Sequence, residues 1–381
     1  MNRSFNMTLY RKRACLLLLF LMAAAANLFA QEGRQEILLN DGWKFHRGGL
    51  EFAYEPFLKD DAWQQVQLPH TWNADDPFDN NDTYFRGIGW YRRHLHLDAA
   101  DRNKKIYLVF EGANQVTDVY VNGSFAGRHK GGYTGFSIDI SPWLQWNSQG
   151  ESDNSLAVQV NNAHDPFIPP LSVGYALYGG IYRNLWLVKA DPIHFANVNS
   201  DASGIRLHPV IQDAAAGAVS MQAQVVNETQ QNRKLQVINR IIDREGKLLL
   251  SFSRDIFLAA GNTATVNMVS DNLAAPHLWS PEDPYLYSVV STIQEGGEVR
   301  DEVRNPLGFR WYRFSADSGF FLNGKKYKLR GTNRHQDRQG KGSALSYEDH
   351  RQDMQLIKNM GANFLRLAHY PQAPDVLRLA D

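Results

Sequence analysis

Two histidines and one arginine are the residues of this sequence best suited to chemistry. His335 ends the stretch Lys328-Leu329-Arg330-Gly331-Thr332-Asn333-Arg334-His335, and His369 ends Ala362-Asn363-Phe364-Leu365-Arg366-Leu367-Ala368-His369, which also holds Arg366. Each imidazole stands just past a short run that reads as a strand. An imidazole ionises near neutral pH and hydrogen-bonds through two distinct nitrogens, so two of them at one mouth could hold hydroxyl groups or steady a developing charge. Histidines that only cap strands or bind a loop would give the same pattern, and the sequence leaves both readings open. Other chemistries lack their residues: there is no phosphate-cradling glycine loop, no Gly-x-Ser-x-Gly elbow and no His-Glu-x-x-His pair. His94 and His96 alternate along a strand and could put two metal ligands on one face. No third ligand is near them in sequence, so no metal site is assigned.

The elements that must position these groups alternate in type. Between the two strands, Ser346 and Asp349 have the spacing of a capping box. His350, Met354, Ile357 and Met360 fall at helical intervals, and Gly361 is placed to end the helix. A second helix begins within Ala373 to Asp381. Strand, helix, strand, helix implies parallel pairing with right-handed crossovers. In a barrel of eight such units the reacting groups sit at the carboxyl ends of the strands, where His335 and His369 both fall. A closed barrel needs about 250 residues. Residues 313–381 are therefore expected to form the start of a (β/α)8 barrel, its first two β/α units.

The preceding chain reads as all-β. Short alternating strands recur from Ile37, with turn signals at Asn40-Asp41-Gly42 and Asn122-Gly123, and residues 31–195 are expected to form a jelly-roll sandwich. After Ala190-Asp191-Pro192 the pattern restarts, with strands expected at 220–226, 235–242, 256–258 and 285–293. Residues 196–312 are expected to form an immunoglobulin-like sandwich. Phe320-Phe321-Leu322-Asn323-Gly324 reads as the hairpin that introduces the barrel.

Asn333-Arg334-His335, Met360-Gly361-Ala362-Asn363 and Arg366 to Pro371 together resemble glycoside hydrolase family 2, the family of β-galactosidases, β-glucuronidases and β-mannosidases. Leu68-Pro69-His70-Thr71-Trp72, Gly89-Trp90-Tyr91-Arg92, Val121-Asn122-Gly123 and Gly179-Gly180-Ile181-Tyr182-Arg183 resemble landmarks of its sugar-binding domain. Asn305 to Arg310 is a link only by resemblance to this family. The resemblance implies a retaining exo-β-glycosidase acting on terminal β-linked sugars, with β-galactosidase ranked first. Its acid/base and nucleophile glutamates would lie beyond residue 381, so no catalytic residue is assigned in this chain, and the chain alone is expected to be inactive. His335 and His369 are then implied to contact sugar, and Arg366 to orient the nucleophile. The resemblance also implies that a loop of the sandwich reaches the barrel mouth. The family's sodium-binding aspartate has no counterpart in Gly127-Arg128-His129-Lys130-Gly131-Gly132-Tyr133, so no metal or cofactor is expected. A secreted carbohydrate-binding protein without catalysis is the alternative from a different class.

Composition agrees with a carbohydrate partner and offers nothing to nucleic acid. Forty basic residues balance forty acidic ones, which gives no electrostatic footprint for a polyanion or an anionic membrane. Nine tryptophans and sixteen tyrosines suit both sugar stacking and sandwich cores. Arg11, Lys12 and Arg13, the apolar run Ala14 to Ala26 and the small residue Ala30 read as a signal peptide over residues 1–30. The expectation is export to the periplasm or beyond, with no membrane span after cleavage. The one cysteine, Cys15, falls in that leader, so the mature protein is expected to have no disulfide. Homo-oligomerisation of the full-length enzyme stays open.

Overall fold

A computed structural model describes residues 33–78, 83–196, 204–211 and 213–381, so the leader read over residues 1–30 lies outside the described residues. The first domain is a jelly-roll sandwich of two antiparallel sheets. One holds Gln35–Leu38, Leu185–Ala190, Lys105–Phe110 and Phe136–Asp139 in that order. The other holds Gln64–Val66, Trp43–Arg47, Ile88–Leu97, Ser152–Asn161, Val116–Val121 and Ser124–Lys130. Alternation sends Trp43, Tyr91, Leu108, Phe110, Val119 and Leu156 into the space between the sheets, where they are fully buried. Asn122 and Gly123 both have positive φ, 51° and 82°, and close a two-residue hairpin between paired Val121 and Ser124. Asn40-Asp41-Gly42 is also a turn, but it carries the chain from one sheet to the other.

The second domain is an immunoglobulin-like sandwich. Ile193–Phe195, Ala216–Asn227, Ile205–Ile211 and Thr263–Val269 make one face. Leu248–Leu258, Arg233–Ile242, Tyr287–Glu295 and Glu298–Leu307 make the other. Val225, Val237, Val266 and Ile293 fill the space between them. The stretch expected to link this domain to the next, Asn305 to Arg310, instead begins as the end of its last strand. Pro306 falls in Glu298–Leu307, an edge strand, which is where a sheet tolerates proline.

The hairpin around Asn323-Gly324, with φ of 50° and 78°, leads into two β/α units of a TIM barrel. The first strand is Gly331–Arg334 and the second Phe364–Leu367. They pair in parallel, with Asn333 opposite Arg366. Both are shorter than the expected runs. Between them lies helix α1, Tyr347–Asn359, and after them helix α2, Pro374–Ala380. Ser346 caps α1 as a full capping box: Asp349 N–H donates to its Oγ, and its own N–H donates to Asp349 Oδ2 at 2.9 Å. Of the apolar stripe read along α1, His350 is buried and Met360 is 68% exposed. Arg334 points to the helix layer, donating to Asp353 at 2.7 Å and to His350 Nδ1 at 2.9 Å. Strand alternation therefore turns Asn333, and with it Arg366, to the opposite, barrel-interior side.

Candidate functional site

The two histidines meet. Their ring centroids are 5.2 Å apart at an interplanar angle of 77°, although 34 positions separate them in sequence. Parallel pairing of the two strands explains the meeting, because each imidazole follows the carboxyl end of its own strand. Arg366 Nη2 donates to His369 Nδ1 at 2.8 Å. A guanidinium has no acceptor, so Nδ1 must present a lone pair, which leaves the ring proton on Nε2. Tyr370 lies beside the pair. Its hydroxyl accepts from Gln336 N–H at 3.1 Å and stands 3.4 Å from His335 Nδ1, and burial pushes its pKa up to about 12.

The jelly roll supplies the other wall of this mouth. Tyr133 stacks on Tyr370 at 4.3 Å and 21°. Tyr175 sets its ring 5.3 Å from His335, 6.2 Å from His369 and 5.5 Å from Tyr370. Tyr178 donates to Asp337 at 3.2 Å. Arg183, almost wholly buried, crosses the boundary: Nη1 donates to the carbonyls of Glu111 and Tyr133, and Nη2 to Pro371 O at 2.6 Å and Gln336 Oε1 at 3.2 Å. The loop that carries Tyr175 is itself anchored. Asn162 donates to Leu177 O at 2.9 Å, Asn114 to Tyr178 O at 2.7 Å, and Gly179 N–H to Asn73 Oδ1 at 2.8 Å. A Cβ on Gly179 would come within 2.1 Å of the Trp72 ring, so only glycine lets this backbone lie against the core.

His335, His369 and Arg366, the three residues singled out from sequence, are thus brought to one mouth. Tyr133, Tyr175 and Tyr370 were missed. Tyr370 adjoins His369 and could have been read with it, whereas nothing local marks Tyr175. Gly179 to Arg183 stood only as a landmark of the sugar-binding domain, and its arginine joins the domains. His94 and His96 lie away from the mouth, both on Asp153, at 3.0 and 3.4 Å. Among the described residues no group of three or more histidine, cysteine or acidic side chains could hold a metal. A cleft of about 650 Å³ opens elsewhere, between the jelly roll and the helix layer, lined by His70, Trp186, Lys341 and Asp349.

Comparison with known proteins points one way. Residues 53–191 match the sugar binding domain of glycosyl hydrolases family 2, residues 202–310 match the model of glycosyl hydrolases family 2 itself, and residues 315–381 match its TIM barrel domain. A putative beta-glucuronidase of Formosa agariphila is 38% identical over 325 residues, 85% of this chain and 37% of its own length. A beta-galactosidase of Thermoanaerobacter pseudethanolicus is 34% identical over 355 residues, 92% of this chain and 45% of its own length. Among solved structures, Bacteroides uniformis beta-glucuronidase 2, covalently bound to cyclophellitol-6-carboxylate aziridine, is similar with a TM-score of 0.86 and 38% identity. The match covers 91% of this chain and 41% of that one. The chain thus spans about half or less of the length of these relatives.

Proposed function

Because the chain belongs to glycosyl hydrolases family 2, we propose that it is the amino-terminal part of an exported, retaining exo-β-glycosidase whose sugar site includes the mouth formed by His335, His369 and Arg366. The observation that carries this reading is the convergence of two imidazoles at the ends of adjacent barrel strands, 5.2 Å apart, under a wall of tyrosines from the sandwich. Retaining hydrolysis needs two carboxyl groups about 5 Å apart, one nucleophile and one acid/base. We assign both to residues outside this chain. In this reading the two histidines hydrogen-bond sugar hydroxyls. Arg366 fixes the tautomer of His369, and its positive charge favours an ionised nucleophile nearby.

For the glycone we rank β-glucuronide first and β-galactoside second, reversing the order expected from sequence. The support is that the similar proteins with 38% identity are named as glucuronidases, and those named as galactosidases stand at 34% or below. The test has two parts. The gene read past the codon for Asp381 should continue into strands ending in the two glutamates, and the product of that longer frame should cleave nitrophenyl β-glucuronide faster than the β-galactoside. A longer product that cleaves neither sinks the assignment, and the reverse preference overturns only the ranking. Residues 1–381 expressed alone should cleave neither.

A further inference from the structure

We propose that Tyr175, carried into the barrel mouth by the jelly roll, contacts the substrate and donates a hydrogen bond from its hydroxyl to a ring hydroxyl of the terminal sugar. The proposal rests on the glycosidase reading above and adds a residue that sets which hydroxyls are recognised. Three observations carry it. First, position: the ring stands over both histidines at once, at 5.3 and 6.2 Å, and it is the one described ring of the sandwich paired with either of them. Second, packing: Tyr133 and Tyr370 stack closely on each other at 4.3 Å, whereas every ring neighbour of Tyr175 is 5.3 Å away or more and its side chain keeps part of its surface open.

Third, hydrogen bonding. The hydroxyls of Tyr133 and Tyr175 are hydrogen-bond partners. A phenol that accepts one bond still has its own proton to give, and no described side chain of the mouth takes it. Burial raises the pKa of both phenols, so both stay protonated and Tyr175, when it accepts from Tyr133, has its own proton to give. The ring of His369, with its proton on Nε2, lies 6.2 Å from that of Tyr175. Two neighbouring donors on a half-open aromatic floor suit the lone pairs of a sugar hydroxyl, with the apolar C–H face of the ring against the tyrosine. A site built to bond a hydroxyl also discriminates strongly against an analogue without it, because the buried donor is left unpaired.

The test is ligand-observed saturation-transfer NMR and titration of the 381-residue chain with methyl β-glucuronide, methyl β-galactoside and the 2-, 3- and 4-deoxy forms of whichever binds. Wild-type chain should bind one parent sugar and lose about tenfold in affinity for one deoxy analogue, the cost of about 1.4 kcal/mol. Tyr175→Phe should weaken the parent sugar by about tenfold and remove the difference between the parent and that analogue. Tyr133→Phe keeps the stacked ring and should cost only two- to threefold. A purely structural role would shift thermal stability and leave the deoxy preference in place, and that result overturns the proposal, as does unchanged affinity in Tyr175→Phe. If the wild-type chain binds neither sugar, the sugar-site reading fails and this proposal with it. If it binds and Tyr175→Phe keeps the same preference, only the role of Tyr175 fails.

Discussion

Replacing Arg183 by leucine should detach the barrel segment from the jelly roll while leaving both sandwiches folded. Arg183 is 3% exposed, and its guanidinium holds four acceptors, two on each side of the boundary. Leucine fills part of the volume and removes a buried cation, a change that can be neutral when its partners are removed too. Here the partners stay. The Pro371 carbonyl and the Gln336 amide oxygen lose charge-assisted bonds of about 1.5–3 kcal/mol each. Gln336 Oε1 keeps one donor, Ala373 N–H at 2.8 Å, so its loss falls at the low end. The net cost to docking is then about 3 kcal/mol, which at ~1.4 kcal/mol per decade raises the undocked population about a hundredfold. Amide hydrogen exchange resolves this by segment. Protection should fall by that factor across residues 331–380 and stay unchanged at Val119 and Val237, in the centres of the two sandwiches. Equal loss in all three domains, or no loss anywhere, would refute the reasoning.

Three further outcomes follow from the same structure. Burial holds His70, His194 and His350 down at about 4, well below the ordinary histidine value. In the unfolded chain they take protons near 6.5, so the stability they allow is complete above pH 6.5 and is lost as the pH falls toward 4. Between pH 6.5 and 5 each costs on the order of 1.5 kcal/mol, and the urea midpoint should drop steeply over that range, whereas a flat profile contradicts the burial argument. Gly179→Ala should destabilise the jelly roll by about 3 kcal/mol or prevent soluble expression, since its Cβ would overlap Trp72, and a thermal melt within a degree of wild type would show that the loop can move aside. Ser346→Ala removes one half of the capping box and should cost about 1 kcal/mol, read as faster exchange in the first turn of α1.

What could be read from the sequence was local. Asn122-Gly123 declared a hairpin because few other residue pairs accept two successive positive φ values, and Ser346 with Asp349 declared a helix start through bonds only three residues long. His335 and His369 were readable together because a β/α/β unit has only one common hand. Tyr175 and Arg183 were not. Their partners across the boundary lie 160 to 195 and 153 to 188 positions away, and no periodicity within either segment records which side chain will cross a domain boundary. The link expected at Asn305 to Arg310 was displaced for a related reason: only the sheet order reveals that Glu298–Leu307 runs on as an edge strand through Pro306.

The strand Gln35–Leu38 has a single partner, Leu185–Ala190, and just before it Arg34 pairs with Asp301 in the second sandwich at 2.9 Å, both side chains buried. During synthesis this strand is the first described piece to leave the ribosome and the last piece of its sheet to find a neighbour. At ~5–20 residues per second, the roughly 150 intervening residues keep it waiting on the order of 10–30 s. Arg34 waits longer still, until Asp301 has emerged. The first described residues thus act as a latch that closes over domains already built, so a tag fused directly ahead of residue 33 would press on that latch and on the seam between two sandwiches.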